Sequence, residues 1–175
     1  DFVGSLAAAV ENAEALAATF VGEALGQPAL AMHRMRVRSG SVADPYSLLA
    51  WQCRVLSLAG QQALPTAYRH GTLDRDWLKA LVKESRRPDG PLRAKQALAE
   101  VGIPLVVEPH LSQTFLDGAA FLHQGRPVVG LTLRYDRTDN FWFVLIHELE
   151  HVTRHLHEGR VEDIFDDLDA EGDAL

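Results

Sequence analysis

Apolar positions set the first expectations. Leu6, Ala9, Val10, Ala13, Leu16, Ala17 and Phe20 recur at three-or-four spacing and predict an Ala-rich amphipathic helix. A second helix is predicted from Pro45 through Leu48, Leu49, Val55, Leu56 and Leu58 to Gly60, with Asp44 as N-cap ahead of a first-turn proline. Two more follow, over residues 73–83 (Leu73, Trp77, Leu78, Leu81, Val82) and 91–101 (Leu92, Ala94, Leu98, Ala99). The breaker Arg87-Pro88-Asp89-Gly90-Pro91 separates them, and Gly102 closes the latter as a C-cap. Between the first two helices, His33, Arg34, Arg36 and Arg38 form a basic patch that reads as a solvated connector.

From Ile103 the period changes. Residues 103–107, 118–122 and 128–133 are short runs rich in β-branched or small apolar residues and predict three strands. His123-Gln124-Gly125-Arg126 ahead of Pro127 reads as a hairpin loop of about four or five residues. Residues 135–140 are polar and turn-like, whereas 141–156 is apolar on nearly all sides and predicts a buried helix, with Gly159 just past its end. Arg134, Asp136, Arg137 and Asp139 alternate in sign ahead of that helix and predict a charge-paired loop, Thr138 or Asp139 capping the N-terminus. The expected division is a helical region over 1–101, its later helices packing on an α+β core over 102–175.

Composition narrows the classes. Charged residues at 23% and hydrophobic ones at 47% are ordinary globular values and exclude wholesale disorder. No run reaches the roughly 18 to 20 apolar residues of a membrane span, and the N-terminus has no secretory pattern. The single cysteine, Cys53, sits among Trp51 and Val55 as a small core residue and gives no sign of an oxidising compartment, so a cytoplasmic location is expected. A net charge of -7 disfavours direct nucleic-acid binding. Asp1 in place of Met and an acidic end lead us to expect a piece of a longer polypeptide.

Chemistry concentrates in His147-Glu148-Leu149-Glu150-His151, an H-E-x-x-H motif within the apolar helix. Positions i and i+4 lie one turn apart on the same face, so His147 and His151 are candidate ligands of one Zn²⁺ ion, with Glu148 as general base for a zinc-activated water. Peptide hydrolysis is the natural reaction.

With its flanking segments the motif resembles the ImmA/IrrE family of metallopeptidases, in particular the branch associated with Xre or HigA-type helix-turn-helix regulators. The similarity runs through Val107-Glu108-Pro109-His110-Leu111, Thr114-Phe115-Leu116-Asp117-Gly118-Ala119-Ala120, Leu131-Thr132-Leu133-Arg134-Tyr135-Asp136-Arg137, Asp139-Asn140-Phe141-Trp142-Phe143 and Phe165-Asp166-Asp167-Leu168-Asp169, over about residues 47–170. It implies a minimal zincin-like core, a three-stranded sheet packed on the H-E-x-x-H helix. It also implies a zinc endopeptidase that cleaves a repressor or antitoxin partner, or a stress or ligand sensor controlling a DNA-binding domain in the same polypeptide. His147 and His151 fall on the family's ligands and Glu148 on its base.

The family's third ligand is a Glu in an E-x-x-A-x-x-F-A setting, which this chain lacks. Glu171 is the late candidate, and the spacing places the expected ligand beyond Leu175. Glu150 stands where the family commonly has Gly or Ala, a change expected to affect packing. By the same resemblance His110 would line the cleft or stabilise an oxyanion, and Tyr135 would donate to a tetrahedral intermediate. Gly118, Ala119 and Ala120 would bind substrate by β-pairing if their strand is an edge.

His155 and His157 read as structural or solvent-facing. The acidic stretch over 158–173 reads as a solvated loop, although Asp167, Asp169, Glu171 and Gly172 resemble half of a calcium loop. The alternative to an enzyme is a non-catalytic regulatory domain built on the same scaffold, and the apolar face of the first helix permits a homodimer.

Overall fold

The computed structural model describes residues 19, 21–22, 36–37, 44–112, 114–135, 137–154, 156 and 164–166. The predicted first helix lies outside them apart from Thr19, as do His33, Arg34, Arg38, Asp136, His155, His157, Gly159 and Glu171.

The order of elements is β1 (Arg36–Val37), α1 (Pro45–Gly60), α2 (Arg75–Lys83), a 3₁₀ turn (Glu84–Arg86), α3 (Gly90–Glu100), β2 (Leu105–Val107), β3 (Gly118–His123), β4 (Arg126–Leu131), α4 (Thr138–Arg154) and β5 (Ile164–Asp166). The architecture is α+β. β2, β4 and β3 form a mixed centre, β2 parallel and β3 antiparallel to β4, and the sheet extends through β5 to β1 in the order β1-β5-β3-β4-β2.

Capping fixes where the helices begin and end. The Asp44 carboxylate accepts from Ser47 N at 2.8 Å and Ser47 Oγ at 2.6 Å, so the predicted N-cap stands. Asp74 does the same for α2, accepting from Trp77 N at 2.8 Å. The helix starts at Arg75, two residues after the Leu73 of the periodic pattern. At the end of α3, Ile103 N donates to Leu98 O at 2.9 Å and Gly102 N to Ala99 O at 3.0 Å. These two bonds form a Schellman motif, with Gly102 at φ +83° as its left-handed residue.

Side-chain alternation along the strands builds two cores. Leu105, Ala120, Val129 and Leu131 point to one face, where Leu81 of α2, Ala94 and Leu98 of α3, and Phe141, Leu145, Leu149 and Val152 of α4 cover them. Val106, Ala119, Phe121 and Val128 point to the other, where Leu48, Trp51, Val55 and Leu56 of α1 pack. The sheet is therefore covered on both faces, which explains why its strands carry apolar residues at consecutive positions. Along β2, which ends the sheet, Gln62 Nε2 donates to Leu105 O at 3.1 Å and Trp51 Nε1 to Glu108 O at 3.0 Å. Leu105 O is an acceptor that an open edge would present, and the Gln62 side chain occupies it.

Several expectations are corrected. The hairpin loop is two residues, Gln124 and Gly125, because His123 and Arg126 already pair; with φ of +51° and +75° they form a turn of the I′ kind, whose twist matches the strands. Helix α4 is not apolar on nearly all sides in its surroundings: Phe143 is 64% exposed, and Glu150 is exposed and pairs with Arg154 at 2.9 Å rather than packing inward. The basic connector and the acidic stretch are not wholly loops, since Arg36–Val37 and Ile164–Asp166 pair with each other as parallel strands.

Candidate metal and active site

Helix α4 follows β4 through residues 132–137, and a buried threonine organises that passage. Thr132 Oγ1 donates to Leu116 O at 2.7 Å, and Thr132 N donates to Asp117 O at 3.0 Å. The loop leading to α4 is thus tied to the segment leading to β3. Past it, Phe141 N donates to Arg137 O at 3.1 Å as the first helical bond. The predicted charge pair at the helix start is present, Arg137 Nε donating to Asp139 Oδ1 at 3.0 Å, and this bond holds the Asp139 carboxyl below its usual range. The pair is solvent-exposed and contributes little to stability. Asp139 Oδ1 also accepts from Asn140 N at 3.0 Å, satisfying one of the N–H groups a helix start leaves open.

Two turns into α4 the motif residues fall where the spacing placed them. His147 and His151 bring Nε2 atoms within 3.1 Å, with ring centroids 4.7 Å apart and planes at 84°. Two imidazole nitrogens about 2.0–2.1 Å from one tetrahedral zinc would stand about 3.3 Å apart, so the pair has close to the spacing of two ligands on one ion. Without metal, the same spacing suits one ring donating to the other, the direction set by the tautomers. His151 is buried and His147 half-buried, which leaves the His147 side as the approach from solvent.

Glu148 is fully buried between α4 and the sheet. Its Oε1 lies 2.7 Å from the place a Cβ on Gly118 would occupy, and Val144 Cγ1 lies 2.6 Å from that same place. Only glycine at the start of β3 leaves room for this carboxylate.

The remaining expected residues are spread differently. Gly118, Ala119 and Ala120 are buried, and their strand is not an edge there: β5 pairs antiparallel with them, Gly118 to Asp166, Ala119 to Phe165 and Ala120 to Ile164. A peptide has no open strand edge at these three residues while β5 is in place. His110 is exposed beyond β2, whose last residue Val107 shares a rung with Leu131, itself paired to Gly118. It therefore leaves the sheet at the same end as the motif. Tyr135 is 40% exposed, and its ring lies 5.5 Å from Arg134 Cζ, which also lies 5.9 Å from the Phe115 ring.

Among the described residues no group of three His, Cys, Asp or Glu side chains comes together to hold a metal ion, and Glu171 lies outside them. Thr132 and Phe143 are the residues that sequence reasoning passed over. A lone threonine amid apolar residues at a strand end, and an aromatic four residues before the first histidine, were the signals available. Comparison with family models, with curated proteins and with solved structures returned no match for this chain.

Proposed function

We propose that this chain is a zinc-dependent endopeptidase domain of the ImmA/IrrE type, with a zincin-like core, that cleaves a specific protein partner such as a repressor or an antitoxin. The observation that carries the reading is the 3.1 Å separation of the His147 and His151 Nε2 atoms, with the Glu148 carboxylate from the intervening turn held against Gly118. Imidazole nitrogens suit zinc, and two of them on one helical face would hold it from one side, the third protein ligand coming from outside the described residues. Bound there, zinc would supply Lewis acidity toward a carbonyl and lower the pKa of a water toward about 7. Glu148 would accept the proton of that water at its carboxylate and return it to the leaving amine. His147, the more exposed of the pair, lies on the side from which a peptide would approach.

A second reading, a non-catalytic regulatory domain of an Xre-type regulator, is favoured by β5 on the edge at Gly118, Ala119 and Ala120, where a substrate peptide would otherwise pair. Metal content by inductively coupled plasma mass spectrometry tests the first reading, on this chain and on one extended past Leu175, each with a His147→Ala control. Near-stoichiometric zinc that disappears in the control supports the peptidase. Zinc in neither chain removes it and leaves the regulatory domain. With zinc present, Glu148→Gln separates the two, since a peptidase loses cleavage with its fold intact whereas a sensor keeps its output.

A further inference from the structure

Phe143 is the anomaly of α4: its neighbours Phe141, Trp142, Val144 and Leu145 are buried, while its own ring is 64% exposed. A single apolar residue on a surface is ordinary, but this one has company. Phe143 and Tyr135 together line a groove of about 590 Å³ whose other walls are Arg137, Asp139 and Asn140. That volume lies within the range of pockets that take small organic groups.

Three further observations say what the groove suits. First, Phe143 precedes the half-buried His147 by four residues, so the two stand one turn apart on the same stripe, with Cβ atoms about 5–6 Å from each other. The Phe143 wall of the groove therefore lies one helical turn from His147. Second, the ionic groups on its rim are of opposite sign and pair with each other, Arg137 Nε to Asp139 Oδ1 at 3.0 Å, so the rim offers no net charge. Third, the Arg134 guanidinium lies against the ring of Tyr135 and that of Phe115 at cation–π distance, which stiffens one wall in advance of binding.

We infer that this groove is a substrate subsite, receiving a large apolar, preferentially aromatic, side chain of the peptide next to the bond presented at His147 and His151. The assignment rests on the peptidase reading for its role, and on the exposed aromatic walls for its chemistry.

The test uses two probes on the full chain. N-acetylphenylalaninamide needs no metal, and its titration is followed by the amide signals of Asn140 and Phe143 in ¹H–¹⁵N spectra. The expected result is saturable shifts at millimolar concentrations. N-acetylglycinamide and N-acetylaspartamide should bind at least fivefold more weakly, and the effect should be lost in Phe143→Ser, which alters an exposed position and leaves the circular dichroism unchanged. Signals that do not move, or that move equally with the aspartyl probe, overturn the proposal.

The second probe compares acetohydroxamate with N-acetylphenylalanine hydroxamate on the zinc-loaded chain. Partial burial of the ring should tighten binding about tenfold, and Phe143→Ser should abolish that gain without changing zinc content. Zinc in neither this chain nor the one extended past Leu175 fails the peptidase reading through the metal measurement, while the amide signals still decide the groove. Self-association that disappears in Phe143→Ser, seen by sedimentation, would assign the aromatic face to a second copy and overturn the subsite.

Discussion

Gly118 and Glu148 share one space: a side chain on the first cannot coexist with the observed carboxylate of the second, because the Cβ position lies 2.7 Å from Glu148 Oε1. A strand thereby sets the position of a helical side chain to which the proposed chemistry assigns proton transfer. Gly118→Ala is expected to destabilise the fold by about 1–3 kcal/mol, the usual range for an extra carbon forced into a filled core. The Cβ would also meet Val144 Cγ1 at 2.6 Å, so Val144→Ala should relieve part of that cost and leave the part due to Glu148. Denaturant unfolding of the two single variants and the double variant measures this. Strict additivity would mean that the three groups do not compete for the space.

Cys53 is fully buried on α1, and burial pushes its thiol up to about 11. The thiolate is the reactive form, so at pH 8 the native protein should leave Ellman's reagent unreacted over minutes and release one equivalent once denaturant is added. Rapid stoichiometric reaction without denaturant would show that the Cys53 side of α1 is open to solvent rather than buried.

The I′ turn between β3 and β4 holds Gln124 at φ +51°, a left-handed conformation that asparagine adopts more readily. Gln124→Asn is therefore expected to stabilise the protein by about 0.5 kcal/mol and to raise the melting temperature by a degree or two. A lower melting temperature would mean that the hairpin does not use this turn.

Legibility in the sequence followed the strength of local signals. Asp44 ahead of Pro45 and the His147/His151 spacing encode local geometry, so the start of α1 and the approach of the two imidazoles on one helical face are both legible. Gly102 likewise announced its Schellman turn. The hairpin is legible, but its loop reads longer than it is. Asn-Gly is the strong two-residue signal and Gln-Gly is a weak one, so His123 and Arg126 looked like loop rather than the last paired rung. Two-residue β1 and three-residue β5 are too short to show any period, and charges surround them, so only long-range pairing reveals them. Phe143 is illegible for a different reason. An aromatic in an apolar run is counted toward the core by any periodicity argument, and only the packing of α4 on one face of the sheet shows it turned to solvent. The contact between Gly118 and Glu148 joins residues 30 positions apart, and no local pattern announces it.

Acid should act on the protein partly through the cap of α1. The Asp44 carboxylate takes hydrogen bonds from Ser47 Oγ and Ser47 N, and these hold its pKa below the ordinary 3.8. A carboxyl whose pKa is lower in the folded state binds protons more readily when unfolded. Its stabilisation is present in full above the unfolded value and is lost as pH falls through the folded one. Asp44→Asn keeps a capping oxygen but removes the titration, so its melting temperature should trail that of the parent at pH 7 and draw level with it well below pH 4. Asp44→Ala should lie below both at pH 7, and its deficit to the parent should likewise shrink in acid. Melting curves of the three proteins between pH 7 and pH 2.5 decide the matter. A gap between parent and Asp44→Asn that stays constant through that window would mean that the ionised cap adds nothing to the start of α1.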